Sequence, residues 1–153
     1  MRSSIQLLLA GLLSLPIIVL PAMADGAPPS TGLGQAWPNA ADVSASPHYH
    51  VYVFERLGVR YVQVNDLNGT VHGAFAYSGS DIMGLPIGVD AARLATPTEP
   101  LSAPPATGTT AGEIVYRDAS VTISVQPQAD GTALMQAVSN DCKNPAECSV
   151  HFQ

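Results

Sequence analysis

The run "HVYVFERLGVRYVQVNDLNGTVHGAFAY", residues 50–77, constrains the fold more than any other feature of the chain. Three stretches rich in β-branched and aromatic residues are separated by Leu57-Gly58 and by Asn68-Gly69. Asn-Gly between alternating apolar runs is the strongest short signal for a β-hairpin. Side chains alternate between faces along a strand, so a register can be judged by how well it sorts residues. Two-residue loops set Val51 and Val53 opposite Val64 and Val62, and these in turn opposite Gly73 and Phe75. One face then carries Val51, Val53, Val62, Val64, Val71 and Phe75, and reads as a core face. The other carries His48, His50, Tyr52, Phe54, Tyr61, Gln63, Asn65 and His72. A one-residue slip in the first hairpin would mix valines with Gln63 and Asn65, so the segregation favours this register. Glu55 also falls opposite Arg60, a favourable cross-strand pair. Leu57 opposes it, because a type I′ turn requires φ > 0 at its first position. A longer loop with Gly58 in the left-handed region is the alternative.

The remaining segments extend the β reading. "IMGLPIG" predicts a fourth strand, with Pro86 at an edge or bend. "DAARL" predicts one helical turn. Residues 95–112 contain Pro97, Pro100, Pro104 and Pro105 and read as a linker or long surface loop. "EIVYRD", "SVTISVQ", "TALMQAV" and "SVHFQ" read as further strands, the second with clean alternation of Val121, Ile123 and Val125. No helix has the length or period to support a domain. The expected fold is all-β: a small antiparallel β-sandwich or partly open barrel of about seven to eight short strands built from meanders. Its single domain spans 48–153, with residues 25–47 as a flexible, extended N-terminal arm. Trp37 in that arm is expected to plug into the domain's core, with a role in binding as the lesser reading.

Residues 1–24 read as a signal peptide: Arg2, the apolar run "IQLLLAGLLSLPIIVLP", and Ala22-Met23-Ala24 as an A-x-A cleavage site. The run is short for a retained span and is broken by Pro16 and Pro21, so no membrane span is expected after cleavage. Removing it leaves 153 − 24 = 129 residues and, with Arg2 gone, 5 basic against 12 acidic side chains, a charge of −7. That sign repels phosphate backbones and anionic headgroups, so nucleic acid is not an expected partner. Arg56, Arg60, Arg93, Arg117 and Lys143 are scattered and form no basic patch in the sequence. Cys142 and Cys148, an even pair in an exported chain, are expected to form a disulfide. Its loop is short, which limits the stabilisation to about 2–2.5 kcal/mol.

The most suggestive residues for chemistry are histidines. His48 and His50 lie two apart on a strand and so share a face. His72 joins that face two strands away, roughly 9–10 Å distant at the backbone. Three imidazoles there could take Zn or Cu, although zinc needs each nitrogen at about 2.0–2.1 Å. "HYHVYVFE" also matches the H-x-H-x4-E fragment typical of cupins, and Pro86-Ile87-Gly88 is similar to their P-x-G. The flanking glycines are missing and no histidine follows Gly88 at the required place, so the fragment reads as coincidence. There is no G-x-S-x-G elbow, and Ser78-Gly79-Ser80-Asp81 is turn composition. Asp66, Asp81, Asp90, Asp118 and Asp130 all fall in expected turns, and no calcium-loop ladder is present. No enzyme is expected. Tyr52, Phe54 and Tyr61 form an aromatic stripe opposite the valines, either covered by the arm and the proline-rich segment or open as a contact for protein or glycan.

"WPNAADVSASPHYHVYVFERLGVRYVQVNDLNGTVHGAF" resembles a small group of exported proteobacterial proteins, as in xanthomonads, over about residues 36–97 and the C-terminal cysteine pair. The resemblance implies periplasmic or secreted localisation and brings no activity, substrate or site residues. The expected function is therefore an exported, non-enzymatic envelope binding or accessory protein without a cofactor. Its partner would be an unknown protein or envelope component, met through Tyr52, Phe54, Tyr61 and Trp37 or a sheet edge. The alternative is a periplasmic metal-binding protein using His48, His50 and His72.

Overall fold

A computed structural model describes residues 30–101 and 112–140. The expected signal peptide, the start of the arm, most of the proline-rich segment, Cys142 and Cys148 with their expected disulfide, and "SVHFQ" lie outside the described residues. Among the described residues eight strands form two four-stranded sheets, a β-sandwich rather than a closed barrel. In chain order they are β1 (Tyr49–Arg56), β2 (Val59–Asp66), β3 (Val71–Ser78), β4 (Asp81–Leu85), β5 (Leu94–Ala95), β6 (Glu113–Arg117), β7 (Val121–Pro127) and β8 (Ala133–Ser139). The first sheet is the meander β1-β2-β3-β4, and the second has the order β5-β8-β7-β6. A 3₁₀ turn, Ala91–Arg93, links the sheets where "DAARL" predicts a helical turn. Among the described residues no helix is long and apolar enough to cross a membrane.

The expected register of the first hairpin is the observed one: Val51 pairs with Val64, Val53 with Val62, and Glu55 with Arg60. The connection is a two-residue turn despite Leu57, which adopts φ 53°, with Gly58 at φ 78°. Leu57 is the one non-glycine residue with positive φ among the described residues. The inner faces meet in a core built from Val51, Val62, Val64, Phe75 and Ile82 against Leu94, Val115, Val121, Ile123, Val125, Met135 and Ala137. Gly73 lies in the middle of β3 because a Cβ there would run into Met135 and Leu94 of the opposite sheet.

Four expectations are corrected. The third strand follows the expected register only as far as Val64–Gly73. A β-bulge then sets Asn65 opposite Val71, not His72. The extra residue exchanges faces: Val71 joins Asn65 on the outer side, and His72 turns to the inner rim, edge-on to Tyr49. The proline-rich segment begins as structure, because Leu94 and Ala95 pair in parallel with Met135 and Gln136 of β8. "IMGLPIG" ceases to be strand at Leu85, ahead of Pro86.

The fourth correction is the arm, which is no extended tail from residue 30 onward. Thr31 and Asn39 exchange backbone hydrogen bonds and close residues 31–39 into a loop. That loop lies on the outer face of the first sheet. Farther along, Val43 N donates to Val51 O on β1, and Ala45 N donates to Val115 O on β6. The arm therefore spans the open side of the sandwich where the edge strands of the two sheets face each other.

Candidate functional site

Gln63 and Asn65 stand on the outer face among aromatic residues, and both are fully buried. Burying two primary amides is costly unless every polar atom finds a partner. The arm's backbone supplies those partners. Gly34 N donates to Gln63 Oε1 at 2.6 Å, while Gln63 Nε2 donates to Gln35 O and to Asn65 Oδ1, both at 2.8 Å. Asn65 Nδ2 donates to Ala36 O at 2.8 Å. No buried side-chain nitrogen or oxygen is left unsatisfied among the described residues. The two amides thus hold the loop as a neighbouring strand would. Beneath it Tyr52 and Phe54 are 5% and 6% exposed and Tyr61 is half-buried, so the expected stripe is covered.

The clasp leaves one aromatic residue outside. Trp37, the single tryptophan of the chain, is 59% exposed instead of entering the core. Its indole is held nonetheless. It rests on Gly69, where a Cβ would come within 2.8 Å of the ring. Gly69 also turns the β2–β3 connection at φ 87°, so the residue there must be glycine for two reasons. His50 meets the indole in a T-shaped contact, with centroids 5.5 Å apart, and is itself stacked on Tyr52 at 6.2 Å. His50 Nδ1 lies 2.6 Å from Asp42 Oδ2. Asp42 Oδ1 accepts from Ser44 N and Val51 N. Burial raises the Asp42 carboxyl, but the bonds from His50, Val51 and Ser44 outweigh it and hold the group below its ordinary value. An ionised carboxylate only accepts, so Nδ1 carries a proton, and in the neutral ring Nε2 is then an acceptor. No described residue bonds Nε2.

The three histidines of the expected metal set are not brought together. His48 Nδ1 bonds Glu113 at 3.0 Å, His50 bonds Asp42, and His72 Nδ1 bonds Asp90 Oδ2 at 2.6 Å. Each ring thereby ties a different segment to its strand: β6, the arm, and the connection that leads into the 3₁₀ turn. Asp90, 3% exposed, is clamped twice, because its own N–H donates to His72 O. No group of three His, Cys, Asp or Glu side chains that could hold one metal ion occurs among the described residues. Ser46 also donates to Glu113, so this carboxylate is shared by Ser46 and His48.

At the opposite end of the sandwich Asp118 pins the sheets together. Its Oδ2 accepts from Tyr77 and Tyr116 hydroxyls and from Arg60 Nη1, and its Oδ1 from Ser120 N and Val121 N. Burial raises this carboxyl too, and the bonds led by Tyr77 carry it below the ordinary range. Burial pushes the Tyr77 hydroxyl far up, with Asp118 adding to it, so Tyr77 remains a donor. An open groove of about 500 Å³ runs along β4, lined by Ala76, Ile82, Met83 and Pro97–Glu99, and it does not include Trp37.

Asp90 and Asp118 were legible only as turn residues, because His72 and Tyr77 lie 18 and 41 positions away, and Asp42 lay in an arm whose composition shows no period. Gln63 and Asn65 were visible as polar intruders on an aromatic face, a signal for a polar partner whose identity the pattern could not supply. Compared with protein-family models, curated proteins and solved structures, the chain matches none.

Proposed function

We propose that this chain is an exported, non-enzymatic binding module of the cell envelope, and that it meets its ligand through Trp37 with His50 and Asp42 beside it. One observation carries the reading: the largest apolar side chain of the molecule is held open to solvent by a fixed frame. Exposed tryptophan is uncommon outside contact surfaces, and tryptophan is among the residues most enriched at binding hot spots. A ring already braced by its neighbours loses less conformational entropy on binding than a free one. The leader-like residues 1–24 and the paired cysteine pattern support export.

The test is co-sedimentation of the purified chain with an insoluble envelope preparation of murein and membranes, beside Trp37→Ala. Retention of the native chain and its loss from the variant, with circular dichroism unchanged, is the expected result. Equal retention of both, or of neither, contradicts the proposal.

A further inference from the structure

We infer that the Trp37–His50 surface takes a neutral pyranose ring of a polysaccharide; this rests on the binding role proposed above and names its ligand class. Three features of the surface select that chemistry together. The indole presents an exposed plane, seated on Gly69 and braced at 5.5 Å by His50. An aromatic face carries the negative part of the ring quadrupole. The axial C–H groups of a pyranose form a flat patch of slightly positive hydrogens, which suits that face.

At the rim of the indole stands a fixed acceptor. His50 Nδ1 is held by Asp42 at 2.6 Å, so Nε2 of the neutral imidazole offers a lone pair, and it has no partner among the described residues. A sugar hydroxyl can donate to it while the ring stacks. A purely apolar ligand would cover Nε2 without bonding it, at the cost of an unmade hydrogen bond.

The third feature is charge. Asp42 is ionised beside the site, and among the described residues it has no lysine or arginine partner. Uronic, sialic and phosphorylated sugars meet repulsion there, whereas neutral hexoses do not. The platform is also an open surface rather than part of the groove along β4. An open plane fits one residue of a long polymer better than a small molecule, which needs enclosure.

Because the chain has one tryptophan, its emission reports on this site alone. Cellohexaose and chitohexaose are titrated into the full chain, with hexagalacturonate as the charged probe. The expected result is a saturable change in emission with the neutral hexamers and at least a tenfold weaker response to hexagalacturonate. Calorimetry of Trp37→Ala is expected to show loss of saccharide binding. Trp37→Phe, which keeps a smaller plane, retains part of it and guards against a folding defect. His50→Gln, which keeps an acceptor, is expected to lose less than His50→Ala. No saturable response to either neutral hexamer, or an equal response to the uronate, overturns the ligand class. If that happens while envelope retention still depends on Trp37, the ligand class alone is wrong. If retention also fails, the binding role falls with it.

Discussion

At the residue scale, local rules are broken where the surrounding structure dictates the outcome. Leu57 occupies the left-handed region, which costs an L-residue with a side chain about 1–2 kcal/mol, and it is 94% exposed, so no packing offsets the cost. Leu57→Asn, which creates the favoured Asn-Gly pair, is therefore expected to stabilise the domain by about 1 kcal/mol. Urea unfolding at constant slope checks this; a loss of stability would mean that Leu57 makes a contact not seen here. Asp118 presents the opposite case, a turn residue on which five hydrogen bonds converge. Asp118→Ala leaves the Tyr77 and Tyr116 hydroxyls without their shared acceptor and is expected to cost about 2–3 kcal/mol. Its role also sets a pH dependence. The folded carboxyl titrates below its ordinary value near 3.8, so its stabilisation is present above that value and lost as pH falls through the lower, folded one. Acid unfolding of Asp118→Asn should show a shallower fall in stability below about pH 4 than the native chain.

At the scale of elements, the docked arm decides what the first sheet shows to solvent. Gln63→Leu removes the group that bonds both Gly34 N and Gln35 O. The loop can then rehydrate its backbone by lifting off, so a modest loss of about 1–3 kcal/mol is expected. The distinguishing readouts are binding of an apolar dye to newly exposed Tyr52 and Phe54, and faster amide exchange at Gly34. Unchanged exchange would show that the loop is held by other contacts. The meander was legible because valines segregate cleanly when Val51 faces Val64. The bulge at Asn65 was not, because an extra residue in β3 leaves the rest of the alternating pattern intact and changes only which faces Val71 and His72 join. The arm was equally illegible: its Pro, Gly and Ser composition shows no period, and its fixed path comes from side chains some thirty residues away.

At the scale of the whole molecule, the two ends of the sandwich differ in kind. One is pinned by Asp118 between the sheets. The other carries His48, His50 and His72 apart from one another, each on its own carboxylate, so that the arm, β6 and the segment after β4 are all fastened there. Trp37 stands at this second end as the consequence of a covered aromatic face. The most direct measurement is acrylamide quenching and the emission maximum of the single tryptophan in the folded chain. A clasped arm that leaves the indole open predicts emission close to that of free tryptophan amide and efficient quenching. Blue-shifted emission protected from acrylamide would place Trp37 inside the protein, and the proposed binding surface would not exist.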